Sequence, residues 1–150
     1  MGELSDGRMN AWLLQQRNVD NTSCLVRANK QNFGGTLNNE DFITAIEEVV
    51  SSAAINDTIS NLSSPLGRKP PEALIKQSLW FNALSDSDKN MLKAIVASAV
   101  NESVFGFLCV LDGVRAISDT EEGNNLSLIH GDTLLNDPAL ESLHDLYKNV

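Results

Sequence analysis

The chain has 150 residues, of which 42% are apolar and 21% charged, and this length predicts one domain that needs neither a metal nor disulfides to fold. Eleven basic against 20 acidic residues give a net charge of −9, which argues against a nucleic-acid backbone or an anionic membrane as partner. A polar, acidic start and the lack of an apolar run of about 20 residues predict a cytoplasmic protein without a membrane span.

Residues 1–38 are rich in Asn, Gln and Gly and carry only short apolar clusters. We expect a short helix around residues 9–16 and a strand or turn near residues 24–28. This poorly defined N-terminal segment is expected to pack on the same domain. Residues 39–150 are predicted to form the helical domain.

The spacing of apolar residues predicts two helices in the next part of the chain. The first begins at Asn38 or Asn39 as its cap and extends to about residue 60. Its apolar face is predicted at Phe42, Ile46, Val49, Val50, Ala53, Ile59 and Leu62. After a proline-rich loop, the second helix begins at Pro70 or Pro71, and Trp80 is expected at a seam between helices.

A third helix is predicted from its Ser85 cap to about residue 100, where the polar residues 101–103 are expected to break it. Residues 104–111 are apolar all round, which indicates a segment buried on all sides. A core helix is favoured over a central strand there, because residues 112–117 extend the pattern at helical spacing.

Two short runs near residues 126–136, separated by Gly131 and Asp132, predict a β-hairpin with a two-residue turn. A last helix is expected with Asp137 as its cap and Pro138 at its first position. Its inner face is predicted at Leu140, Leu143, Leu146 and Tyr147. The predicted fold class is therefore mainly α: a single-domain bundle of five or six helices with a small C-terminal β-hairpin.

No sequence motif predicts catalysis, a metal site or a cofactor. Cys24 and Cys109 fit reduced thiols, and Cys109 is expected to be a small buried hydrophobe. A Cys109 and His144 hydrolase is a minor alternative, because nothing local activates the sulfur. His130 and His144 are too few for a zinc site, and the calcium-loop pattern around Gly123 lacks its final acid. We therefore expect no enzyme activity, no cofactor and no metal.

The C-terminal third concentrates negative charge, since residues 101–150 hold nine acidic and two basic residues, a net charge of −7. The simplest interpretation of this charge is solubility. The alternative is a surface for a basic partner, formed by Glu121, Glu122, Asp132, Asp137, Glu141 and Asp145. The last three are expected to share one exposed stripe of the last helix with Lys148.

In its small size, acidity and lack of catalytic motifs, the chain resembles in a general way the immunity proteins that neutralise bacterial nuclease toxins. The resemblance implies a binding protein of the immunity or inhibitor type, which blocks a basic partner such as a nuclease toxin by charge and shape complementarity. The alternative is a structural or regulatory helical domain of unknown partner without catalytic activity. The sequence leaves the oligomeric state open.

Overall fold

The computed structural model describes residues 36–120 and 125–150. Its elements in chain order are α1 (Asn39–Ile46), a π-helical segment (Glu47–Ser52), α2 (Ala53–Ser63), α3 (Glu72–Ala83), α4 (Asp86–Leu111), β1 (Ile129–His130), β2 (Thr133–Leu134) and α5 (Leu143–Lys148). The first three run on without a break, so these residues form four continuous helices. The prediction of a mainly α fold with a small hairpin is confirmed for them. The helix expected around residues 9–16 and the strand or turn near residues 24–28 lie outside the described residues.

The first helix begins as predicted, because the side chain of Asn38 accepts a hydrogen bond from the backbone N of Asp41 at 2.7 Å. The π-helical segment was not predicted. It adds a residue to the helical turn, which rotates the following side chains around the axis. Ser51 is thereby buried, whereas Val49 and Val50 are exposed, contrary to their predicted place on the apolar face.

Two side chains of α3 form hydrogen bonds to one backbone carbonyl at the end of α2. Ser78 Oγ and Asn82 Nδ2 both donate to the carbonyl oxygen of Ser63, at 3.3 and 3.0 Å, and Phe81 is buried beside them. Trp80 is 55% exposed, so its predicted position at a seam between helices is wrong.

Helix α4 is one continuous helix of 26 residues, and the predicted break at residues 101–103 does not occur. Ser85 caps it as expected, accepting from the backbone N of Asp88 at 3.2 Å. Helix is confirmed over strand for residues 104–111, but burial on all sides is wrong, because Phe107 is 61% exposed. The helix ends at Leu111 because Gly113 adopts a positive φ of 72°, so residues 112–117 do not extend it.

By length and composition alone, α4 is apolar enough to cross a membrane, whereas the sequence predicted no membrane span. Only three of its residues are buried: Gly106, Leu108 and Cys109. Polar residues 101–103 lie near the middle of its apolar part, and its last turns pack in the core of the protein. Length and composition therefore do not by themselves assign α4 to a bilayer.

The predicted hairpin is confirmed, with Ile129 opposite Leu134 and His130 opposite Thr133 in antiparallel register. Gly131 supplies the positive φ of 59° that the two-residue turn requires.

The last helix begins five residues later than predicted, at Leu143 rather than Pro138. Asp137 instead caps a separate turn, in which its carboxylate accepts from the backbone N of Ala139 at 2.9 Å. Leu140 is consequently 52% exposed and does not belong to the inner face. Leu143 and Tyr147 are buried as predicted.

The core lies where α1, the C-terminal half of α4 and α5 meet. Its buried members are Ile43, Leu108, Leu143 and Tyr147. A buried polar contact accompanies them, since the Tyr147 hydroxyl lies 2.5 Å from Ser51 Oγ and donates to Asn101 Oδ1 at 3.3 Å. Three helical elements are thus tied together around one tyrosine.

Candidate functional site

The structure separates the predicted binding carboxylates. Asp137 and Glu141 precede α5, so they do not share a helical stripe with Asp145 as predicted. Asp132 lies exposed at the tip of the hairpin. Glu121 and Glu122 lie outside the described residues.

Asp145 is held by neighbours within its own segment. Ser142 Oγ donates to Asp145 Oδ2 at 2.7 Å, and Lys148 Nζ lies 3.1 Å from Asp145 Oδ1. The hydrogen bond from Ser142, followed by that from Lys148, lowers the pKa of Asp145 below its ordinary value of 3.8. Asp145 therefore stays ionised, but Lys148 offsets part of its charge.

A second acidic segment lies beside Glu141. Asn39 Nδ2 donates to the carbonyl oxygen of Glu141 at 3.1 Å, across 102 positions of sequence. Because Glu40 and Asp41 occupy the next two positions of α1, this contact brings two acidic segments together. We call the surface formed by Glu40, Asp41, Glu141 and Asp145 the acidic surface.

Three members of the acidic surface form no ion pair with another described residue. Within residues 36–120 and 125–150, no Lys, Arg or His forms an ion pair with Glu40, Asp41 or Glu141. Glu40 and Glu141 are exposed and Asp41 is half-buried. Their negative potential is therefore directed to solvent, where it can act on an approaching cation.

The acidic surface stands on rigid structure. Ile43 of α1 and Leu143 of α5 belong to the same buried core cluster. Asp112, the C-terminal cap of α4, accepts hydrogen bonds from the backbone N and from Nδ1 of His144 through the same carboxylate oxygen. Both side chains are largely buried, at 6% and 12% exposed, so this pair fixes α5 to the end of α4.

An aromatic ring adds to the attachment of α5. Phe105 meets the His144 ring edge to face, with ring centroids 5.8 Å apart, and Lys148 Nζ lies 5.0 Å from the Phe105 centroid. Both contacts run between α4 and α5, so they resist rotation of the short helix.

The geometry does not support the alternative of a Cys109 and His144 hydrolase. The described contacts of His144 pair Nδ1 with Asp112 and place Nε2 3.6 Å from Asp145 Oδ1. Cys109 is a buried free thiol, and both imidazole nitrogens lie against carboxylates instead. Within the described ranges, no group of three or more His, Cys, Asp or Glu side chains is arranged to hold a metal ion.

Two features of this region were not predicted from the sequence. The proximity of Asn39 to Glu141 has no local signal, because it depends on how α1 and α5 pack. The Asp112 and His144 pair has only a weak signal: an acid directly after a long apolar segment, where an anion is unfavourable at the negative end of a helix. An acid at that position is expected to accept a hydrogen bond from a donor elsewhere in the fold.

Comparisons of the chain with protein-family models, curated proteins and solved structures return no match.

Proposed function

We propose that the protein binds a basic protein partner through the acidic surface, as an inhibitor of the immunity type. The observation that supports this most directly is the hydrogen bond from the Asn39 side chain to the backbone carbonyl of Glu141, which brings together two acidic segments that are distant in sequence. A basic partner would compensate the charges of Glu40, Asp41 and Glu141, none of which forms an ion pair in the part of the chain that the structure describes.

Rigidity supports the same proposal. Preorganised carboxylates lose little conformational freedom on binding, so more of the electrostatic attraction is retained as affinity. Here α1 and α5 share a buried core and the Asp112 and His144 pair lies behind them. A nuclease toxin is a suitable partner, because a surface built to hold phosphates is itself basic. On this proposal the protein has no catalytic activity and acts in the cytoplasm.

The competing proposal is a structural or regulatory helical domain whose acidity serves solubility. The two differ in whether the positions of the charges matter. A surface variant, Glu40→Gln with Asp41→Asn and Glu141→Gln, removes three charges from the acidic surface. A control variant, Glu48→Gln with Asp57→Asn and Glu102→Gln, removes three exposed charges elsewhere and has the same net charge.

The experiment captures proteins from a lysate of the source cells on immobilised wild type, surface variant and control variant at low salt. We expect wild type and the control variant to retain the same basic protein, and the surface variant to lose it. Equal capture by both variants would support the solubility interpretation instead. Circular dichroism must show that both variants remain folded.

A further inference from the structure

A cleft of about 220 Å³ opens at the C-terminal end of α4, beside the hairpin. Four residues give it apolar walls: Leu111, Leu126, Leu134 and Pro138. Asp112 is the one charged residue among the described residues that line it, and Ser127 and Asn136 add polar groups.

The walls of the cleft are fixed by the side chain of Asn136. Its Nδ2 donates to the carbonyl oxygens of Leu111 and Leu126, at 2.6 and 2.8 Å. Its Oδ1 accepts from the backbone N of Leu128 at 2.8 Å. One amide therefore ties the end of α4 to the segment that enters the hairpin, so the cleft exists before any ligand binds.

Two features make the cleft suited to a cation. The negative end of the α4 dipole lies there, and the last turn of α4 holds no basic residue. Both hydrogen bonds from His144 end on one carboxylate oxygen of Asp112, Oδ2, so they leave Oδ1 to other donors. The nearest basic residue in sequence, Arg115, has its guanidinium against Gly106 and is not among the residues that line the cleft.

We propose that the cleft receives the side chain of an Arg or Lys of the basic partner. This inference rests on the proposed function and names the anchor of that interface. The aliphatic stem of the side chain contacts the apolar walls, and its cationic end pairs with Asp112. Two further acidic residues lie close to the cleft in the chain. Asp132 is two positions before Leu134 of the walls, and Asp137 is one position before Pro138.

The test uses n-butylguanidinium as a probe of the arginine side chain, with n-butanol and n-butyrate as matched controls. Its binding to the 15N-labelled full chain is followed by amide chemical shifts. We expect saturable shifts at Gly113, Leu126 and Ser127 with n-butylguanidinium, about tenfold weaker binding of n-butanol and no binding of n-butyrate. Equal binding of n-butanol would overturn the proposal, as would shifts that do not saturate.

Two substitutions at exposed leucines locate the site. Leu126→Trp fills the cleft and should weaken binding of the probe about tenfold or more, whereas Leu79→Trp on α3 should leave it unchanged. Asp112→Asn, which keeps an acceptor for His144, should weaken it as well; if that variant does not fold, Leu126→Trp still decides. An unchanged affinity of folded Leu126→Trp contradicts the inference. Failure of the proposed function shows differently, as equal partner capture by the surface and control variants.

Discussion

Asp112 and His144, 32 residues apart, join the end of α4 to α5: one carboxylate oxygen of Asp112 accepts from the backbone N of His144 at 2.9 Å and from its Nδ1 at 2.7 Å. An acid at a helix C-terminus opposes the helix dipole, so its place there depends on these two donors. Because α5 has only six residues, it is too short to be stable alone and relies on such contacts. The pair therefore holds one side of the acidic surface in place.

Replacing this acid should destabilise the fold. Asp112→Ala leaves two largely buried donors of His144 without their acceptor, and we expect a loss of about 1–3 kcal/mol in the free energy of unfolding. Urea denaturation followed by circular dichroism measures it. Asp119→Ala, at an exposed acid, is the control and should change stability by less than about 0.5 kcal/mol. Equal effects of the two changes would show that the pair is not structural.

The Tyr147 hydroxyl should contribute to stability through its hydrogen bond with the buried hydroxyl of Ser51. Tyr147→Phe leaves the hydroxyl of Ser51, which is 1% exposed, without its partner and should cost about 1–3 kcal/mol. In a double-mutant cycle with Ser51→Ala, the coupling should be about 0.5–3 kcal/mol. The exposed Ser60→Ala serves as control and should show no coupling to Tyr147→Phe. Strict additivity of Tyr147→Phe and Ser51→Ala would contradict the contact.

Helix caps and tight turns are the features of this fold that the local sequence predicts correctly. The caps at Asn38 and Ser85 and the turn at Gly131 depend on neighbours within three residues, and all three are confirmed. Residues 101–103 were expected to break α4, yet packing of its C-terminal half keeps the helix continuous.

The predictions that were wrong share a physical cause, because each depended on tertiary packing between distant segments. The π-helical segment turns Ser51 inward, where it meets Tyr147 from the far end of the chain. Similarly, the acidic surface depends on the contact of Asn39 with Glu141. The spacing of residues within one helix carries no information on either contact. The predicted stripe of Asp137, Glu141 and Asp145 was therefore wrong, although Glu141 and Asp145 belong to the acidic surface.

The titration of Asp145 should report the hydrogen bond from Ser142. The lowered pKa of Asp145 means that its contribution to stability is present above pH 3.8 and is lost as the pH falls through its still lower folded value. Ser142→Ala removes the largest cause and should raise the midpoint of the carboxyl titration toward 3.8, as followed by 13C NMR. Lys148→Met, which removes a hydrogen bond and a nearby positive charge, should raise it as well. A midpoint that Ser142→Ala leaves unchanged would rule out this cause.

Two glycine substitutions should change the free energy of unfolding in opposite directions. At Gly106, an added Cβ would lie 2.6 Å from Arg115 Nη1, but that guanidinium is the end of an exposed, flexible side chain and can move. Gly106→Ala should therefore raise stability by up to about 0.5–1 kcal/mol, the usual cost of a glycine within a helix. Gly131→Ala, at φ 59° in the hairpin turn, should lower it by about 1–2 kcal/mol. Thermal unfolding of both variants tests the pair, and a destabilised Gly106→Ala would show that Arg115 cannot move.

The central claim is that the acidic surface steers a basic partner. The most direct measurement is the association rate of the captured partner with wild type, surface variant and control variant, at ionic strengths of about 0.02 M and 0.5 M. We expect the rates of wild type and the control variant to fall at least about tenfold with salt, and the surface variant to associate slowly with little salt dependence. The same rates and the same salt dependence in the surface and control variants would contradict the account.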